Sequence, residues 1–142
     1  MEKNFETQLN DLHADMVSVC VEYCNNRYDQ LYIHVINENN TLFADFFYRI
    51  DGEMLKKSKI CADENIVNPK RQQAALSELI GYLRKLFALF NKHGQPQPSE
   101  IKLVYDNKKN GEFSAEYSYE PVTSKEKSDR FLSQKWFESL KI

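Results

Sequence analysis

Residues 68–94, NPKRQQAALSELIGYLRKLFALFNKHG, decide the fold. Asn68 suits an N-cap, because its side-chain oxygen can accept a backbone N–H of the first turn. Pro69 then stands at the first helical position, where its missing N–H costs nothing. Leu76, Leu79, Ile80, Leu83, Leu86, Phe87 and Phe90 recur at helical spacing as one broad apolar stripe. Lys92 and His93 place positive charge in the last turn, Gly94 suits a left-handed C′ residue, and Pro96 and Pro98 prevent continuation. Gly81 costs about 1 kcal/mol against Ala in mid-helix, which predicts a close approach by another backbone there. Seven large side chains at about 1.5–3 kcal/mol each need a sheet or other helices to cover them.

Outward from this helix, the chain reads as alternating elements. Residues 4–25 form an amphipathic helix with Phe5, Leu9, Leu12, Met16, Val19 and Tyr23 on one stripe. Two strands follow, 30–36 and 41–50, each alternating on a period of two, with 37–40 as the loop between them. Asp51-Gly52 is a second turn, and 53–60 reads as a short third strand whose Lys56, Lys57 and Lys59 suit a sheet edge. Beyond the long helix, 101–106 and 113–119 form a hairpin around the tight turn Asn110-Gly111. Thr123 and Glu126 have capping-box spacing and predict a last helix carrying Phe131, Leu132, Trp136, Phe137 and Leu140. Hairpin connections make the sheet mainly antiparallel, four or five strands wide. The class is α+β, in the order α-β-β-(β)-α-β-β-α, as a single domain over 1–142.

Composition bounds the function. A net charge of −2 over 142 residues carries none of the basic excess of a nucleic-acid binder. Residues 1–60 hold six Lys/Arg against ten Asp/Glu, so the acidic excess is N-terminal. The start, Met-Glu-Lys-Asn, has no signal-peptide pattern, and no apolar run approaches a membrane span. Cys20, Cys24 and Cys61 are odd in number and lack zinc-ligand spacing, which predicts reduced, buried thiols in a cytoplasmic protein. His13, His34 and His93 belong to no motif. Cys61 and His34 could meet only through the fold, and nothing local supports a nucleophile–base pair. There is no glycine-rich phosphate loop. The expectation is no catalytic residue, no metal and no cofactor. Glu112, Glu116 and Glu120 share a strand face, but carboxylates four apart stand about 13 Å from one another. They read as a solvated face rather than an acid–base pair.

Alternation predicts that Leu31, Ile33, Val35, Leu42, Ala44, Phe46 and Tyr48 point at the long helices. The opposite face then carries Tyr32, His34, Ile36, Phe43, Asp45, Phe47 and Arg49, extended by Val104, Asp106, Glu116 and Glu120. Aromatics mixed with charges suit a protein-binding patch, and equally a face covered by the terminal helix.

The segments LSELIGYLRKLFALFNKHG, IKLVYDNKKNGEFSAEYSYEP and SDRFLSQKWFESL resemble the YezG-like immunity-protein family. The matching residues are Gly111, Phe113, Tyr117, Tyr119, Glu120, Trp136 and Phe137, and LYIHVINENNTLFADFFYRIDGE matches more loosely. The resemblance implies an antitoxin that is not an enzyme. It implies cytoplasmic binding of a cognate secreted toxin, commonly a nuclease, with no direct nucleic-acid or membrane contact; a homodimer is compatible with it. The expected toxin contacts are Tyr32, Phe43 and Phe47 as aromatic anchors, ringed by Asp45, Glu116 and Glu120. The order of elements is also similar to that of small secretion chaperones, which hold an extended effector segment.

Overall fold

The computed structural model describes residues 4–60 and 69–141. Helix α1 (Phe5–Tyr23) is opened by Asn4, whose side chain accepts the Thr7 N–H at 2.8 Å, and Asn25 and Asn26 turn the chain away at φ of 52° and 66°. Strands β1 (Gln30–Glu38) and β2 (Thr41–Ile50) follow, then β3 (Glu53–Lys56) and a short 3-10 turn, Lys57–Lys59. Helix α2 (Pro69–Lys92) leads into β4 (Glu100–Asp106), β5 (Glu112–Ser118) and helix α3 (Asp129–Ser139).

The five strands make one antiparallel sheet in the order β3-β2-β1-β4-β5. Helices α1 and α2 lie on one face and α3 on the other. Leu31, Ile33 and Val35 of β1 join Phe46, Tyr48, Ile101 and Leu103 beneath Met16 and Cys20 of α1 and Leu79, Leu83 and Leu86 of α2. Leu31, Ile33, Val35, Phe46 and Tyr48 are among the residues whose alternation pointed them at the helices, and Leu42 and Ala44 pack against the same cluster half-buried. The stripe of α2 is buried at Leu79, Leu83, Leu86, Phe87 and Phe90 and half-buried at Leu76 and Ile80. Two tyrosine hydroxyls tie the layers: Tyr48 donates to the Cys20 carbonyl at 2.6 Å and Tyr23 to the Lys57 carbonyl at 2.8 Å. On the other face, Tyr32, Phe47 and Met54 form a second, smaller core with Phe137, Trp136 and Leu140.

Several boundaries differ from the sequence reading, each for a physical reason. The first hairpin closes at Asn39-Asn40, not over four residues. Both take left-handed φ, 54° and 58°, as a two-residue primed turn requires, and this lengthens β1 to Glu38. The third strand stops at Lys56. The Asp45 carboxylate accepts the Phe46 N–H at 2.8 Å and Lys57 closes on it at 2.5 Å, so the ladder ends at Phe47 opposite Lys56. The β4–β5 turn is longer than two residues, with a 3-10 turn at Asn107–Lys109 before Asn110 and Gly111. Helix α3 starts at Ser128, which accepts the Phe131 N–H, because Thr123 is engaged elsewhere. The Glu38 carboxylate takes the Val122 and Thr123 N–H groups and the Thr123 hydroxyl, at 3.0–3.3 Å. No backbone approaches Gly81: it is exposed, and a Cβ there would meet nothing within 4 Å. The expected cap at Asn68 lies outside the described residues.

Two substitutions in α2 test this arrangement. Leu83 is fully buried, so Leu83→Asp strands a charge in the core and should abolish soluble, cooperative folding. Gly81→Ala should raise stability by about 1 kcal/mol in denaturant unfolding, because only helix propensity is at stake.

Candidate protein-binding face

The antiparallel registers set three rows of side chains across the α3-facing side of β2, β1, β4 and β5. One row is Asp45, His34, Lys102 and Glu116; the next is Phe47, Tyr32, Val104 and Ser114; the third is Phe43, Ile36, Glu100 and Ser118. Alternation therefore puts the expected contact residues of these strands on one face. What α3 does with that face separates them.

Helix α3 covers the β1–β2 half. The ring of Trp136 stands 5.1–5.8 Å from the rings of His34, Phe47 and Tyr32, and Phe137 meets Phe47 edge-on at 5.2 Å. Tyr32 is 5% exposed and Phe47 1%, so these two expected anchors lie beneath the helix. Their aromatic area holds α3 in place. His34 is fully buried in the same place, and its Nε2 meets a Glu100 carboxylate oxygen at 2.7 Å. That hydrogen bond holds the Glu100 carboxyl below the usual carboxylate range, against the opposing effect of burial. Lys102 places its ammonium over the Trp136 ring at 5.4 Å.

Phe43 and Asp45 lie on the same face, toward the β2–β3 edge of the sheet. They line an open groove of about 700 Å³ between α2 and α3, with Leu42, Ala44, Arg130 and Phe131. The Asp45 carboxylate is already committed to Lys57 and the Phe46 N–H.

The β4–β5 half of the face is open. Glu112, Ser114 and Glu116 on β5 are exposed, Glu120 just beyond it is exposed, and Asp106 on β4 is half-buried. Among the described residues Glu112, Glu116 and Glu120 make no ion pair; Lys102 is the cation opposite Glu116 in the register. Asp106 accepts from Gln30 and from the Lys108 N–H, both at 3.1 Å. The six expected contact residues thus separate: Tyr32 and Phe47 lie under α3, Phe43 and Asp45 line the edge groove, Glu116 stands on the open half of the face, and Glu120 is exposed just past the end of β5. Sequence reading missed Glu100 and Lys102. Their signal was their alternation with Ile101 and Leu103, but their role depends on where Trp136 sits.

The other titratable groups are built into the core. His13 on α1 is 5% exposed, and the Tyr117 hydroxyl lies 2.5 Å from its Nε2. Burial lowers the His13 pKa from 6.5 to about 4 and pushes the Tyr117 hydroxyl up, so both are neutral at pH 7 and Tyr117 donates. Cys20 and Cys24 are buried free thiols pushed up by burial, so neither is a thiolate nucleophile at neutral pH. Cys61 lies outside the described residues. Among the described residues no cluster of His, Cys, Asp and Glu could hold a metal ion. No described helix is long and apolar enough to cross a membrane.

No protein-family model matches the chain, and no curated protein matches it.

The lowered His13 pKa has a sign that can be measured. Between pH 6.5 and about 4 the unfolded chain binds a proton at His13 that the folded chain refuses, so stability falls as pH falls through that window. The lowered Glu100 pKa acts in the same direction, at the more acid end, as pH falls below about 4.5. Thermal unfolding midpoints should drop from pH 7 to pH 5. His13→Phe combined with Tyr117→Phe should flatten that slope; an unchanged slope contradicts a neutral buried His13.

Proposed function

We propose that this chain is an immunity protein that binds and neutralises a cognate secreted antibacterial toxin, a nuclease, in the cytoplasm. It acts by occupying the toxin's active site or substrate cleft, and it needs neither catalysis nor a cofactor. Two things support the reading: the resemblance to YezG-like immunity proteins, and the open acidic half of the sheet. The second carries more weight. Glu112 and Glu116 on β5, with Asp106 opposite Glu112 and Glu120 just past the strand's end, are carboxylates without ion-pair partners among the described residues. A nuclease cleft is positive because it holds a polyanion, so such a surface steers association and mimics the charge of the substrate. Within the expected contact set, Glu116 and Glu120 are the charges presented to the toxin. Phe43 and Asp45 serve only a partner that reaches the far edge, and Tyr32 and Phe47 only one that displaces α3.

A second reading, a secretion chaperone, is favoured by one observation. The open groove beside Leu42, Phe43 and Ala44 has a mostly apolar lining, with Leu76, Ile80 and Phe131 opposite, which suits an extended effector segment. The partner decides between them: a folded toxin domain fits the acidic face, and a leader peptide fits the groove.

The test starts from the protein encoded beside this chain's gene, expressed as a folded domain. It should bind this chain and be toxic without it. Reversing Glu112, Glu116 and Glu120 to Lys should slow association by about tenfold or more and remove protection from growing cells, with folding intact. Undiminished binding by the folded triple variant, or no binding by the parent chain, overturns the reading.

A further inference from the structure

The two edges of the sheet are treated differently. At the β3 side the edge is guarded. Strand β3 is four residues long and ends in Lys56, which hydrogen-bonds Gln134 of α3. Beyond it the Asp45–Lys57 pair takes the next backbone N–H of β2. Short strands, lysines and turned-in charges are the usual means of stopping one sheet from adding to another. At the other side β5 is neither short nor lysine-bearing, and its charges, Glu112 and Glu116, are acidic and stand on the solvent face. It runs seven residues, EFSAEYS, without Pro, Lys or bulge, and pairs one-to-one with β4 from Glu112 to Ser118. Among the described residues no strand lies along its outer edge. Phe113 on its helix-facing side is 37% exposed.

The β5 sequence is complementary to itself. About a two-fold axis at Ala115, antiparallel pairing sets Phe113 against the second copy's Tyr117, Ser114 against its Glu116 and Glu112 against its Ser118. Aromatics meet aromatics on one face, and each carboxylate meets a serine hydroxyl on the other. Neighbouring axes fail. An axis at Ser114 puts Glu112 opposite Glu116, and one at Glu116 puts that carboxylate opposite itself; like charges directly opposite are destabilising. Axes at Phe113 or Tyr117 shorten the overlap. An axis between residues sets apolar side chains against acids.

We propose that a second copy of this chain pairs with β5 along its free edge, antiparallel about a two-fold axis at Ala115. The product is one ten-stranded sheet across the dimer. It buries Phe113 beside the partner's Tyr117, and it joins the two acidic half-faces into one surface. The inference rests on the edge and its register, not on the immunity reading.

Sedimentation over a concentration series of the full chain tests it, with four proteins compared. The parent chain should dimerise. Ser114→Glu sets two new carboxylates opposite Glu116 of the other copy and should weaken the dimer by about five- to tenfold. Ser114→Lys, at the same exposed position, should leave it as tight or tighter. Ser114→Glu combined with Glu116→Lys should restore it, because only this register puts positions 114 and 116 opposite. A parent chain that stays monomeric at every attainable concentration overturns the proposal. So does a dimer that Ser114→Glu and Ser114→Lys leave alike or weaken equally, since a folding defect would strike both. A monomer that still binds the neighbouring toxin removes this inference alone; a dimer that binds no toxin removes the proposed function alone.

Discussion

Burial of β1 on both faces is the constraint from which the rest of the structure follows. Its residues Leu31 to Ile36 are all buried, three facing α1 and α2 and three facing the other side. A strand covered from both sides must be central, and it pairs with β2 and β4 along its length. It also carries a histidine into the interior. Leaving that ring without a partner would cost a few kcal/mol, of order 1–3. Glu100, one strand away, supplies the partner at 2.7 Å, and Trp136 closes over the ring.

The second cover is narrower than the first. Two helices lie over the sheet on one side, but α3 is a single helix of 11 residues. It covers β1 and β2, touches β4 only through Val104 and Lys102, and leaves β5 bare. The protein's surface chemistry follows from that shortfall. Aromatic side chains concentrate where α3 docks, and carboxylates where it does not. The clasp of Glu38 on Val122 and Thr123 sets where the chain crosses before α3 begins, so one side chain in the first hairpin helps decide which half is open.

Local signals were legible where they were self-contained. Helix α2 ends at Lys92 with Gly94 left-handed just beyond it, as the run Lys92-His93-Gly94 implies, while the cap expected at Asn68 lies outside the described residues. The two faces of the sheet follow from a period of two and needed no tertiary information. The placement of α3 was not legible, because it depends on partners far away in sequence. Thr123 and Glu126 have the spacing of a capping box, yet Thr123 is taken by Glu38, 85 residues earlier. Tyr32 and Phe47 look the same in sequence whether they anchor a partner or a helix of their own chain, since both uses call for large rings. Asp45, set between Phe43 and Phe47, reads as a rim charge and serves as the end of a ladder. Glu116 and Glu120 were legible as a solvated face, and their openness depends only on nothing covering β5.

Trp136 is the chain's one tryptophan, so its fluorescence reports the seat of α3 without competition. Its ring packs against those of His34, Phe47 and Tyr32. Native emission should therefore lie well to the blue of the unfolded chain's and be poorly quenched by iodide. Phe47→Ala, which removes a ring beneath it, should move emission to the red while far-ultraviolet circular dichroism keeps the strands and the two long helices. Native emission at the unfolded position, quenched freely, would contradict the account: α3 would not be docked, and the aromatic half of the sheet rather than the acidic half would be the open one.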